Sequence, residues 1–237
     1  MSDKPVVGLN LICRCDRFMC SGFAEPVLQR WVEFLETADA VPLVVPAVEH
    51  AADVMRQLDR VDAFLYTGWR DLDPESDAHG PEAVDHNPET LLMRTIAERQ
   101  VPFLGFGRGI QLLNVALGGS LRSVLLDDGL GPRHLYPHNP RHTLMTTSGS
   151  LLDKVYTDPE TLVPSIHEAA VDDVAVGFAI TARGPGGVVE AIECESDDWF
   201  AVGVQFHPDP CMAGLDLRLL DAFLSEVHTR TPQPVCG

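Results

Sequence analysis

The stretch V101-PFLGFGRGIQLLNVALGGSL constrains the fold more than any other part of the chain. Val101–Leu104 is an apolar run of the length expected for a buried strand. Gly105-Phe106-Gly107-Arg108-Gly109 reads as a tight turn, and Ile110–Leu117 as an apolar helix closed by Gly118 and Gly119. A buried strand that passes at once into an apolar helix is the repeating joint of a parallel α/β sheet. The rest of the chain must therefore supply neighbouring strands, and helices to cover both faces.

It does so in alternation. Val6–Ile12, Pro42–Val45 and Ala63–Tyr66 read as strands, the last ending at Thr67-Gly68. Val27, Leu28, Trp31, Val32, Leu35 and Ala38 fall at helical spacing, and a helix from Glu89 to Arg99 turns Leu92, Met93, Ile96 and Ala97 inward. Residues 71–88 and 127–150 are rich in Asp, Pro, Gly or His and read as loops. Ala175–Ala182, Val188–Glu193 and Phe200–Gln205 read as later strands, and Leu215–Val227 as a final helix with Leu219, Leu220, Phe223, Leu224 and Val227 on one face. No repeat or linker divides the chain. The expected fold is a single α/β domain over residues 1–237, with a mostly parallel central sheet flanked by helices, flavodoxin-like, and a frayed tail over 230–237.

Composition narrows the partners. Lys and Arg number 17 against 35 Asp and Glu, a formal net charge of −18, so nucleic acid and anionic membrane are both disfavoured. The hydrophobic share of 45% is that of an ordinary globular protein, and no apolar run is long enough to span a bilayer. Six cysteines in 237 residues are too sparse for a disulfide scaffold, so reduced thiols and a cytoplasmic location are expected.

At a strand-to-helix elbow the tip residue takes a strained backbone with positive φ, and the helix behind it offers N–H groups and a positive dipole end. A thiol at such a tip is acidified by the dipole, and the same N–H groups hold an oxyanion. Here the tip is Gly107, which has no side chain to attack anything.

LGFGRGIQLLNVALGGSL resembles the elbow of class I glutamine amidotransferases, in particular the γ-glutamyl-γ-aminobutyrate hydrolase (peptidase C26) branch, which reads L-G-[IV]-C-R-G-x-Q-x-x-N-V-x-x-G-G-[ST]-L. GVQFHPD at 203–209 is similar to that branch's G-V-Q-[WF]-H-P-E, VPSIHEAAVDD at 163–173 to its V-N-S-x-H-H-Q-x-[IV], and ITARGPGGVVEAIE at 180–193 follows suit. The resemblance implies that Gly107 stands where the attacking cysteine would be, His207 where the general base would be, and Asp209 where its carboxylate partner would be. It places Gly68, Trp69, Arg108, Gln111 and His167 around substrate and oxyanion, with Trp69 in the position of the oxyanion loop's second glycine. Glu168 replaces the second histidine of His-His-Gln. For Arg108 two roles stay open, a clamp on neighbouring loops or a binder of carboxylate.

The expectation is a non-hydrolysing or repurposed member of that family that binds a γ-glutamyl or glutamate-like small molecule, with no cofactor and no metal; a homodimer is left open. Two other functions are alternatives. One is an active γ-glutamyl amide hydrolase that uses Cys13, Cys15 or a water activated by His207; the other is a non-catalytic protein with a regulatory or interaction role. A zinc site at His207, Asp209 and Cys211 with His167 has suitable N, O and S ligands, but the prolines that interrupt the segment weigh against it. His134, His138 and His142 are expected to be solvated loop histidines rather than a ligand cluster.

Overall fold

Strands form where apolar residues must face both ways. The computed structural model describes residues 4–10, 24–46, 48–68, 71–74, 87–124, 141–164, 167–207 and 217–230. In chain order these form β1 (Val6–Asn10), α1 (Ala24–Thr37), β2 (Val41–Val44), α2 (Ala51–Leu58), β3 (Ala63–Gly68), α3 (Pro88–Glu98), β4 (Phe103–Gly107) and α4 (Arg108–Ala116). Then come β5 (Leu121–Ser123), β6 (Arg141–Thr143), β7 (Met145–Thr146), α5 (Leu151–Val155), β8 (Leu162–Pro164) and β9 (Ala169–Val171). The chain closes with β10 (Phe178–Arg183), a 3₁₀ turn (Pro185–Gly187), β11 (Val189–Cys194), β12 (Ala201–Val204) and α6 (Arg218–Arg230).

Eight strands make one sheet in the order β2-β1-β3-β4-β12-β11-β10-β7. The first five are parallel to their neighbours, whereas β11, β10 and β7 extend the sheet antiparallel. β5 pairs with β9, and β6 with β8, in two small outlying ribbons. The mostly parallel α/β fold read from the sequence is the fold observed.

Alternate residues of the central strands feed two cores. Phe64 and Tyr66 of β3 and Phe103 of β4 pack with Val54, Leu58, Leu92, Met93 and Ile96 of α2 and α3. Ala63, Leu65, Leu104 and Phe106 face the other way, onto Trp31 and Leu35 of α1 and Leu220, Phe223 and Leu224 of α6. Trp31 stacks on Phe106 with ring centroids 5.8 Å apart. Burying both faces explains why these strands read as continuous apolar runs.

Helix α4 lies unusually close to the sheet. Gly105 and Gly203 are cross-strand partners beneath it, and a Cβ on either would come within 2.9 Å of α4 backbone, at Gly109 C and Ile110 Cα. The paired absence of side chains sets the height of α4 above β4 and β12.

Several boundaries differ from the sequence reading. No five-residue turn separates β4 from α4: the strand runs to Gly107 and the helix starts at the next residue. The described end of the 127–150 segment is not loop, since β6 and β7 lie within it. α2, in a region to which the sequence reading assigns nothing, is amphipathic and buries Val54 and Leu58 one turn apart. α3 begins a residue early because Asn87 caps it, accepting from the Glu89 N–H ahead of Pro88 at its first turn. The last helix continues to Arg230, into the span expected to fray; 231–237 lie outside the described residues.

Candidate active site

The site forms at the carboxyl ends of β3, β4 and β12. Gly107 caps α4 with φ 54° and ψ −109°, a backbone state that any side chain would strain. Gly68 ends β3 in register with Gly107, so two glycines stand side by side on the rim. A Cβ on Gly68 would meet the Cβ of Arg108 and Cε1 of Tyr66 at 2.9 Å, which explains why no larger residue fits there.

His207 follows β12 and comes directly to the elbow. A Cβ built on Gly107 would overlap Nε2 and Cε1 of its imidazole and lie 3.0 Å from the Gly68 carbonyl oxygen. Withdrawal from water, helped by His167 nearby, holds the His207 imidazole down to about 4. The ring is therefore neutral at physiological pH, as a base must be before it takes a proton.

Arg108 lies under the elbow and is buried. Its Nε and Nη2 donate to Glu89 Oε1 and Oε2 at 3.1 and 2.6 Å, and its Nη1 to the Asp71 carbonyl at 3.3 Å. The Tyr66 hydroxyl donates to the same Glu89 carboxylate. Burial and that carboxylate push the Tyr66 phenol well up, which keeps its proton in place. Of the two roles open for Arg108, its guanidinium is engaged as the clamp, holding α3 and the residues after β3 against the elbow.

Gln111 is fully buried, and its amide ties separate segments together. Its Oε1 accepts from Leu72 N–H at 2.8 Å, and its Nε2 donates to Asp71 Oδ1 at 2.7 Å and to Gln205 Oε1 at 3.3 Å. Asp71 Oδ2 in turn accepts from the Glu168 and Ala169 N–H groups, fixing the approach to β9. Asn114 does the same for the chain around Asp173: its Nδ2 donates to the Ser120 and Asp173 carbonyls, and its Oδ1 accepts from Ala175 N–H.

His167 is brought beside this network but not as an isolated ligand. It is 2% exposed and faces Glu190 of β11, itself fully buried, with His142 of β6 on the same carboxylate. Burial opposes charge on Glu190, but the two imidazoles outweigh it and bring the carboxyl down to about 2. Burial likewise favours a neutral His167, yet Glu190 outweighs it and raises that imidazole. The expectation for His142 is overturned: it is not a solvated loop residue but 6% exposed on a strand, contacting a buried acid. Among the described residues, His142, His167 and Glu190 are the set whose ligand atoms are close enough to hold a metal ion. Glu190 escaped singling out because its partners lie on segments remote in sequence.

Trp69, Asp209, Cys13, Cys15, Cys211, His134 and His138 lie outside the described residues. Glu168 is exposed, and Cys194 is a free, partly buried thiol. No helix among the described residues is long and apolar enough to cross a membrane.

A mostly parallel central sheet flanked by helices, with a sharp strand-to-helix elbow and an antiparallel extension, is the fold of the class I glutamine amidotransferases. The same fold occurs in a Thermoplasma acidophilum protein named as a GMP synthase component, with a TM-score of 0.63, 13% identity and 94% of each chain covered. The chain belongs to the Peptidase C26 family, which it matches over residues 5–209. It is 35% identical over 179 residues to a Mycobacterium tuberculosis protein named as a glutamine amidotransferase, a match covering 70% of this chain and 56% of that one. It is 29% identical to protein NtpR of Enterococcus hirae, over 94% of this chain and 99% of that one. The γ-glutamyl-γ-aminobutyrate hydrolase of Escherichia coli O157:H7 is 27% identical, with 87% and 86% covered.

Proposed function

We propose that this chain is a non-hydrolysing member of its family, which holds a γ-glutamyl or glutamate-like small molecule at the elbow without forming a thioester. One observation carries the reading: the elbow keeps its strained backbone and its helix N-terminus, but the space of the nucleophile's first carbon is taken by the His207 imidazole. Loss of the nucleophile alone costs on the order of 10⁶ in turnover in enzymes that work through a covalent intermediate. What remains at the site is suited to binding. First-turn N–H groups of α4 have no acceptor within the helix and favour a carboxylate or a polarised carbonyl oxygen, and a neutral His207 places no competing anion there.

Calorimetry with glutamate, glutamine and γ-glutamyl amines tests the reading, alongside a γ-glutamyl anilide assay. Saturable binding with background turnover is the expected pair of results. Failure to bind any of these ligands overturns it. Turnover abolished by His207→Ala would replace it with hydrolysis by a water that His207 activates, and a glutamyl adduct on the protein would replace it with covalent catalysis by another residue.

A further inference from the structure

Behind the elbow, three segments far apart in the chain direct side chains to one buried point. His142 comes from β6, His167 from the residues before β9, and Glu190 from β11; they are 6%, 2% and 0% exposed. Nε2 of His142 lies 3.0 Å, and Nε2 of His167 3.5 Å, from the same oxygen, Glu190 Oε1. The other nitrogen of each ring lies against a backbone carbonyl: Nδ1 of His142 is 3.2 Å from Thr143 O, and Nδ1 of His167 is 3.1 Å from Ala169 O.

A carbonyl oxygen can only accept, so in both rings Nδ1 carries a proton and Nε2 is the atom turned to the carboxylate. In their neutral forms both Nε2 atoms would aim lone pairs at an anionic oxygen, which is repulsive. Positive charge is needed between them. Protons on both rings would set two imidazolium ions against one carboxylate and leave a net charge away from water, which is costly, and a proton on His167 alone would still leave the His142 Nε2 lone pair against the same oxygen. A single divalent cation resolves the conflict, because both lone pairs and the carboxylate then become donors to it.

The details match what such an ion requires. Histidine ligands to a metal usually donate their second N–H to a carbonyl or carboxylate, which fixes the tautomer, as both rings do here. Two histidines and one glutamate form a known zinc donor set. Oε2 of Glu190 is buried without a hydrogen-bond partner among the described residues, so a bidentate carboxylate would supply the fourth donor. The ligand atoms all lie within 4.8 Å of one another. Room for the cluster depends on Gly184, where a Cβ would stand 2.9 Å from Glu190 Oε1 and 3.0 Å from His142 Cε1.

We propose that His142, His167 and Glu190 form a binding site for a zinc-class divalent cation, tying β6 and the approach to β9 onto β11. Burial of all three ligands makes this a structural tie rather than a reacting centre. It is independent of whether the elbow binds a γ-glutamyl compound.

The test uses the full chain stripped with chelator and titrated with Co²⁺. Visible d–d bands that saturate at a single equivalent and disappear on adding Zn²⁺ are expected, with a higher melting temperature in the metal-loaded protein. Glu190→Gln is expected to abolish the bands; bands that persist in that variant would assign the binding to other histidines and overturn the proposal. Replacing a buried carboxylate can itself unfold the protein, so ¹⁵N spectra of histidine-labelled wild type give a separate readout. Zn²⁺ should shift the Nε2 resonances of His142 and His167 while both Nδ1 atoms stay protonated. Two doubly protonated rings that do not respond to Zn²⁺ would overturn the proposal.

Discussion

The His207 imidazole and Gly107 are locked together: any Cβ at position 107 would overlap Nε2 and Cε1 of His207. Gly107→Ala therefore meets two penalties, a positive φ of 54° and an overlap that only ring movement relieves. A loss of about 1–3 kcal/mol is expected, the range for left-handed strain and for over-packing. Urea denaturation followed by circular dichroism measures it, and an unchanged midpoint would mean that the ring swings aside freely.

Gly107→Cys carries the same overlap but adds chemistry. A thiol at the tip would lie beside a neutral imidazole and the start of α4, the setting that lowers a thiol's pKa and activates it. Release of anilide from a γ-glutamyl substrate should rise above the wild-type background, with a glutamyl adduct visible by mass spectrometry. Wild-type turnover equal to that of the variant would contradict the proposed loss of covalent catalysis.

The ion pair between Arg108 and Glu89 supports the elbow from below. Both side chains are nearly buried, at 9% and 5% exposure. Glu89→Gln would leave the guanidinium without its counter-charge, and breaking a buried pair costs about 3–5 kcal/mol. Chemical denaturation should show that loss, and exposed Arg99→Gln, which breaks a pair with Asp59 on the surface, should cost under about 1 kcal/mol.

Asp71 accepts from the Glu168 N–H, the Ala169 N–H and the Gln111 amide. Asp71→Ala removes the charged acceptor that those three donors share in a half-buried setting, so a loss of about 1–3 kcal/mol is expected. Hydrogen exchange at Ala169 should quicken with it, whereas exchange in β1 should not change.

His207 also sets a pH dependence. Its folded value of about 4 lies below the ordinary 6.5, so between those limits the unfolded chain binds the extra proton and the folded chain does not. This contribution is fully present above pH 6.5 and is lost progressively as the pH falls toward 4. His207→Gln should flatten that part of the stability profile, measured by thermal melts from pH 7 to pH 4.

The sequence was most legible where pattern and position coincide. β4, α4 and the tip at Gly107 could be read from glycine spacing and an apolar run, and the sheet from alternation along the chain. What escaped depended on contacts between remote segments. Glu190 is embedded in VVEAIE, where an acid in alternation reads as solvent-facing, yet it is fully buried because residues 142 and 167 arrive from elsewhere to meet it. His142 misled for the mirror-image reason, since its polar neighbours suggest a loop, and among the described residues β6 pairs with distant β8. Gln111 gave no local sign that its amide would join Asp71 to Gln205.

Occupation of the tip's lateral space by an imidazole also makes that ring a gauge of its neighbour. Whatever is introduced at position 107 must displace the side chain at 207 before it fits. The two positions therefore answer to substitution as one unit, and a probe on either reads the state of both.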